Sequence, residues 1–298
     1  MAYKYKASVI IPTYNREKLL EMTLITLMKQ NVSKEIFEVI VVDDGSTDNT
    51  FNILKKYESK LNLQYLYHPH NATGIAKSRN YGIKCSNSEI CIFIDSGILV
   101  ASDTVANFIK QHDKENDVAV IGYVYGFDRH NENEKMLLNL NIDPYKVDDY
   151  FNILEKNDIL DPREKVYRKL GDDLKKWPAP WVFFWAGFIS VKKDTLIKLG
   201  MFDENYNTWG NEDLDLGLAL YTNNIDISLE RKCKCIHYPH EKFKNNISKE
   251  ELNKLVTQKR TYMHNKYHLL STYVFIDTDT YELNYKLIEL KINGREKK

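Results

Sequence analysis

Carboxylates standing where apolar runs turn polar are the residues of this chain best placed to do chemistry. IFIDSGILV, residues 92–100, delivers Asp95 at the end of a buried run. A strand that delivers one acid often delivers a second two residues later, and the two together hold a divalent metal on a phosphate. Here that place is Gly97, which leaves open what neutralises such a phosphate. VIVVDDGSTDNT sets Asp43 and Asp44 side by side at another strand end. Turn and capping chemistry accounts for Gly45, Ser46 and Asp48. It does not account for two adjacent acids, one of which could accept the ring N–H of a pyrimidine base. WGNEDLDLGLAL brings Glu212 and Asp213 to the start of a helical pattern, with Asn211 in position to cap it. Acids stabilise a first turn through the helix dipole alone. Trp209 and Gly210 add a stacking face and a close approach that a plain cap does not need.

These acids need a scaffold, and the first half of the chain supplies one. ASVII, EVIVVDD, LQYLY and EICIFID read as short buried strands, and Leu20, Leu24, Leu27 and Met28 recur at helical spacing between the first two. GIAKSRNYGI reads as a further helix. Strands alternating with amphipathic helices predict an α/β fold, a mostly parallel central sheet with helices on both faces. Ligands of such sheets bind beyond the carboxyl ends of the strands, so Thr13, Asp43, Asp44 and Asp95 are expected on one rim. From about residue 126 the pattern becomes charged, with patchy helix signals. Regular structure resumes at WVFFWAGFISV, and the helix KKDTLIKLG ends on Gly200. The tail from about Ser248 reads as one basic amphipathic helix followed by a hairpin.

The totals set outer limits. The 298 residues carry 42 basic and 42 acidic side chains, and this balance argues against a general polyanion binder such as a nucleic-acid protein. Cys85, Cys91, Cys233 and Cys235 lack metal-site spacing, and no signal peptide is visible at Met1 to Lys6. The expectation is a reducing cytoplasm, with peripheral membrane attachment as the alternative. No apolar run approaches the roughly 20 residues that span a bilayer.

SVIIPTYNR, VIVVDDGSTDNT, GIAKSRNYGI and IFID follow one another as in family 2 glycosyltransferases, and the resemblance covers roughly residues 7–100. It implies a GT-A (Rossmann-like) fold. It implies that Pro12, Thr13, Tyr14, Asp44, Arg79, Asp95 and Ser96 line a nucleotide-sugar site, with Thr13 and Asp44 on uracil and Arg79 on the base or diphosphate. Downstream, WAGFISVKKDTLIKLGMFDENYNTWGNEDLDLGLAL resembles the acceptor half of galactosyltransferases and chondroitin-type polymerases. That second resemblance favours Asp213 as the base of an inverting transfer and Glu212 as the holder of a sugar hydroxyl, with Trp209 and Gly210 beside the sugar. The family's Asp-x-Asp motif lacks its second acid here. Three answers compete: a metal still held through Asp95, protein cations in its place, or a degenerate site. In several enzymes of this fold a histidine after the catalytic acids completes the metal site, which maps to His237 in CIHYPH. Imidazole favours manganese over magnesium. VFIDTDTY, with Asp277 and Asp279, matches the motif in letters but lies out of order with the other blocks.

The expected domains are 1–125 for the nucleotide-sugar half, 126–180 for an insertion or acceptor lid, 181–241 for the acceptor and catalytic half, and 242–298 for a helix and hairpin extension. Trp177, Trp181 and Trp185 are candidate stacking surfaces, and Lys259 or Arg260 could close over a diphosphate. The expected activity is an inverting transfer of sugar from a UDP-sugar to an acceptor hydroxyl of a glycan, peptide, lipid-linked or small molecule. Its rivals are a nucleotidyltransferase of the same fold, against which the absence of a glycine run in IPTYNREKL counts, and a noncatalytic nucleotide-binding relative.

Overall fold

In the computed structural model the described residues are 3–70, 74–115, 117–127, 134–206, 210–240 and 248–296, with side chains described through Lys291. The first half alternates as the apolar pattern requires: β1 (Tyr5–Thr13), α1 (Glu17–Met28), β2 (Phe37–Asp43), α2 (Thr50–Lys55), β3 (Leu63–Tyr67), α3 (Ile75–Cys85) and β4 (Ser88–Ile94). A short β5 (Ile98–Val100), α4 (Thr104–Lys114) and β6 (Val118–Tyr125) follow. The charged stretch contributes α5 (Glu134–Asn139), α6 (Asp148–Lys156) and α7 (Glu164–Leu170). After it come β7 (Phe188–Lys192), α8 (Lys193–Leu199), α9 (Glu212–Thr222), β8 (Asp226–His237), α10 (Lys249–Tyr267), α11 (Leu270–Phe275) and α12 (Leu283–Glu296).

The strands form one sheet in the order β3-β2-β1-β4-β7-β6-β8-β5. Pairings are parallel from β3 through β4 and between β6 and β8; β7 runs antiparallel to β4 and β6, and β5 to β8. The sheet is therefore mixed, and its parallel half is the part the sequence pattern describes.

Side chains alternate across each strand, and both faces are buried. Ala7, Val9 and Ile11 of β1 join one apolar cluster and Ile10 the other; Ile90, Ile92 and Ile94 of β4 likewise separate from Cys91 and Phe93. This is why the strands read as continuous apolar runs rather than as alternating ones. Each fully buried Val, Ile or Phe among them contributes about 1.5–3 kcal/mol. Helix α1 packs through Leu20, Thr23, Leu24 and Leu27, one face at helical spacing.

The parallel register sets the site. Thr13 lies opposite Asp43, and Asp43 opposite Tyr67, so three strands end level with one another. Asp44 N–H donates to the Thr13 carbonyl (2.9 Å), and Ser96 Oγ to the Pro12 carbonyl (3.1 Å). The carboxyl ends of β1, β2 and β4 thus share one rim.

Two expectations fail here. The tail from 270 is helical, not a hairpin: Phe275, Leu283 and Leu287 turn inward onto the cluster that holds Trp181, with Phe275 edge-on to Trp181 at 5.3 Å. Its β-branched and aromatic residues suggested strands, and tertiary burial of one helical face overrides that preference. Trp177 and Trp181 are buried core rather than stacking surfaces, while Trp185 remains half-buried. The charged stretch is well anchored: Leu137, Phe151, Leu154, Val166 and Tyr167 join the main cluster, and the buried Arg163 pairs with Asp161 at 2.6 Å.

Candidate active site

The stretch that lacks the second acid is a tight turn. Ile98 N–H donates to the Asp95 carbonyl (3.1 Å), closing Asp95-Ser96-Gly97-Ile98, and Gly97 has φ +96°. A positive φ at the third position of such a turn selects glycine. A Cβ there would meet Leu19 of α1 at 3.4 Å, on the side of the helix layer. The turn favours glycine at position 97. An acid at this position would strain the backbone.

Asp95 itself faces a cation. Arg79, on α3, donates to Asp95 Oδ1 (2.9 Å) and to Glu212 Oε1 (2.9 Å), with its side chain only 3% exposed. One guanidinium therefore ties the end of β4 to the start of α9, residues 117 positions apart in the chain. Burial opposes its charge, but Asp95 and then Glu212 outweigh that effect and raise its pKa. Arg79 Nε and Glu212 Oε2 are buried without a hydrogen-bond partner among the described residues.

Asp213 is the titratable group nearest neutrality in this cluster. Its Oδ1 accepts from Leu214 N–H (2.8 Å) and its Oδ2 from Ala186 N–H (3.4 Å). Burial first, and the adjacent Glu212 charge second, push its pKa up to about 7, against the opposing pull of Arg79. Asn211 does not cap α9 with its side chain; it adopts a left-handed φ of +75°, which turns the chain abruptly into the helix. Lys259 of α10 donates to the Gly210 carbonyl (3.0 Å), and burial lowers its pKa while Glu212 and Asp213 support its charge. Arg260 points elsewhere, donating to the Phe275 and Thr278 carbonyls (2.8 Å each). The two basic residues expected to share a role are thus separated by one helical step: Lys259 belongs to this cluster and Arg260 braces α11. Trp209 lies outside the described residues.

On the β1–β2 side, Asp43 is buried and consumed by structure, accepting from Ser46 N–H and the Tyr65 hydroxyl (2.8 Å each). Asp44 is the more available acid. His70 Nδ1 lies 2.8 Å from its Oδ2 and His68 Nδ1 3.1 Å from its Oδ1. Tyr14 stacks on His70 with ring centroids 4.2 Å apart and planes 11° from parallel. Thr13 Oγ1 is buried with no partner among the described residues. Sequence reasoning missed both histidines because it followed the apolar pattern only through LQYLY, and His68-Pro69-His70 beyond it matches no motif.

His237 lies on β8 opposite Ile98, and Tyr238 N–H donates to the Gly97 carbonyl (2.9 Å), so the imidazole's strand borders the Asp95 turn. Its ring meets Phe127 and His240 at 5.0 Å each. Among the described residues no group of three or more His, Cys, Asp or Glu could hold a metal by itself. Asp95 Oδ2 is not used by Arg79, and Gly187 leaves space beside it, where a Cβ would sit 3.1 Å away. One oxygen of Asp95 thus stays clear of the arginine, and the imidazole on the strand bordering its turn is that of His237. Asp277 and Asp279 sit in the turn between α11 and α12, where Asp279 accepts from Tyr281 N–H (2.8 Å).

A buried arginine thus bridges an acid at the carboxyl rim of the parallel strands to an acid at a helix start, on a mixed α/β fold. The family model described as Glycosyl transferase family 2 matches residues 8–192, and the chain belongs to that family. Validoxylamine A glucosyltransferase of Streptomyces hygroscopicus subsp. limoneus is 31% identical over 265 residues, covering 83% of this chain and 54% of that protein. Chondroitin synthase of Pasteurella multocida (strain Pm70) is 32% identical over 223 residues, 72% of this chain and 23% of its own length. The chain spans about half the length of the first of these relatives. The crystal structure of S. aureus TarS 1-349 in complex with UDP-GlcNAc superposes with a TM-score of 0.62 at 22% identity, covering 87% of this chain and 67% of that one, and so shares the GT-A fold. No described helix is long and apolar enough to cross a membrane.

Proposed function

We propose that the protein transfers a sugar from a UDP-sugar to an acceptor hydroxyl with inversion at the anomeric carbon. The observation that supports this reading is the Asp95–Arg79–Glu212 bridge, which holds a strand-end acid and an acid of a helix start on one guanidinium. Asp213 takes the proton from the acceptor hydroxyl as that oxygen bonds to the anomeric carbon. The bond to the diphosphate oxygen breaks on the opposite face, and UDP leaves with the electron pair. A base with a pKa of about 7 is suited to this work near neutrality. Glu212, held by Arg79, is placed to accept from a sugar hydroxyl. Half-buried Trp185, whose neighbour Ala186 touches Asp213, offers an apolar face to an acceptor ring.

On the donor side Asp44 accepts the uracil ring N–H, Thr13 supplies its unpartnered hydroxyl, and Tyr14 stacks on the base, while Pro12 and Ser96 fix the rim between Thr13 and Asp95. The TarS complex with UDP-GlcNAc supports a UDP-sugar donor on this fold. A divalent metal, manganese by the imidazole in the donor set, would be held by Asp95 and His237 and would offset negative charge on the diphosphate. Arg79 and Lys259 supply fixed positive charge in the same cleft.

Calorimetric titration with UDP, with and without manganese, tests the donor half. Metal should tighten UDP binding, and Asp95→Ala and His237→Ala should each remove that gain. UDP binding that ignores the metal in all three proteins would remove the metal from this reading and leave Arg79 and Lys259 as the counter-charges.

A further inference from the structure

The place a base would need is already taken by a side chain. Beyond β3 the chain continues along the sheet, with His68 N–H donating to the Asp43 carbonyl (3.1 Å). His68 is fixed through Nε2, 3.1 Å from Ser78 Oγ; its Nδ1 passes 3.1 Å from Asp44 Oδ1 without hydrogen-bonding it, so that oxygen has no hydrogen-bond partner among the described residues. His70 is held more lightly, its side chain 41% exposed. Its Nδ1 reaches Asp44 Oδ2 at 2.8 Å, which requires the proton on Nδ1, and its ring covers one face of Tyr14. Gly45 permits this approach, since a Cβ there would fall 2.4 Å from the His70 backbone nitrogen. Thr13 Oγ1, at the neighbouring strand end, is a buried polar group waiting for a partner.

A planar ring that gives an N–H to Asp44 and a π-face to Tyr14 reproduces what uracil offers through its N3–H. Centroids 4.2 Å apart leave no room for a third ring between Tyr14 and His70. We propose that His70 is a built-in occupant of the nucleobase slot, displaced when the donor binds, and that it sets the affinity for the nucleotide. This inference rests on the reading that Asp44 and Tyr14 receive the base. His68, anchored by its backbone N–H and by Ser78, stays behind beside Asp44.

The consequence is quantitative. A ligand that must first displace a side chain binds more weakly by the fraction of time the slot stands open, and this factor is the same for every ligand carrying the same base. The displaced contacts are one hydrogen bond to a carboxylate and one aromatic stack, both half exposed, so their removal should tighten binding about tenfold.

Calorimetric titration of UDP and UMP into wild type, His70→Ala, Asp44→Asn and the double variant tests this. His70→Ala should tighten both ligands by the same factor, and Asp44→Asn should weaken both in either background. If His70→Ala weakens UDP or leaves it unchanged while Asp44→Asn still matters, His70 is not an occupant of the slot and the inference falls. Unequal factors for UDP and UMP would also overturn it, because the effect would then lie at the phosphates. If Asp44→Asn leaves UDP binding intact, the base reading itself fails.

Discussion

Replacing Arg79 with Met keeps the bulk that packs against the Phe202 ring, 5.3 Å from the guanidinium, and removes the charge. The variant strands Glu212, whose side chain is 6% exposed, beside Asp213 without the guanidinium that pairs with it. Breaking a buried pair in this way costs about 3–5 kcal/mol. The Asp95 arm adds little, since Asp95 is 40% exposed and water can replace its partner. Taking about 4 kcal/mol in total, and an unfolding entropy of about 2.1 cal/mol/K per residue, the 298-residue chain should lose about 6 °C in Tm. Differential scanning calorimetry at pH 7 measures this. Adding Glu212→Gln to the Arg79→Met background should recover most of the loss, because the stranded charge is the cause; adding Asp95→Asn should recover little. A single variant within 1 kcal/mol of wild type, or a Glu212→Gln that restores nothing, would refute the claim that this bridge is a buried charge pair.

Three further outcomes follow from the same geometry. Because Asp213 must be ionised to act and its pKa stands at about 7, kcat/KM should rise with pH through about 7, and Glu212→Gln, which removes a like charge, should move that limb to lower pH. The sign for stability is opposite: a carboxyl raised from 3.8 in the unfolded chain contributes stability below about pH 4 that is lost as pH rises through about 7, so Asp213→Asn should flatten that decline in urea midpoints. Gly97→Asp should destabilise by about 1–3 kcal/mol, through its left-handed backbone, and should give no gain in metal-dependent activity. A metal-dependent gain in that variant would show that the side chain reaches the phosphates after all.

Much of the site was legible because the chemistry sits at strand ends. Asp44, Asp95 and Thr13 close apolar runs, and the parallel register of β1, β2 and β4 brings such ends together without further information. Glu212 and Asp213 were visible as acids opening a helix. What the letters did not carry is pairwise geometry. Arg79 reads as one cation on a polar helix face, and only the fold shows it bridging two acids. Asn211 reads as a cap, yet its left-handed backbone removes the side chain from that role. Lys259 and Arg260 are neighbours in sequence but, on a helix, point about 100° apart. Gly97 reads as a lost acid against the Asp-x-Asp motif, whereas the positive φ of its turn favours glycine. The C-terminal helices were misread because the aromatic and β-branched residues of STYVFI suit strands, and only the apolar surface around Trp181 selects the helical face.

The central claim is an inverting transfer with Asp213 as base, and proton NMR of the sugar released or transferred from UDP-α-glucose and UDP-α-N-acetylglucosamine tests it most directly. Wild type should give the β-anomer first, and Asp213→Asn should slow turnover by about 10²–10⁴-fold with UDP affinity unchanged. An α-anomer as first product, or full turnover in Asp213→Asn, would contradict it.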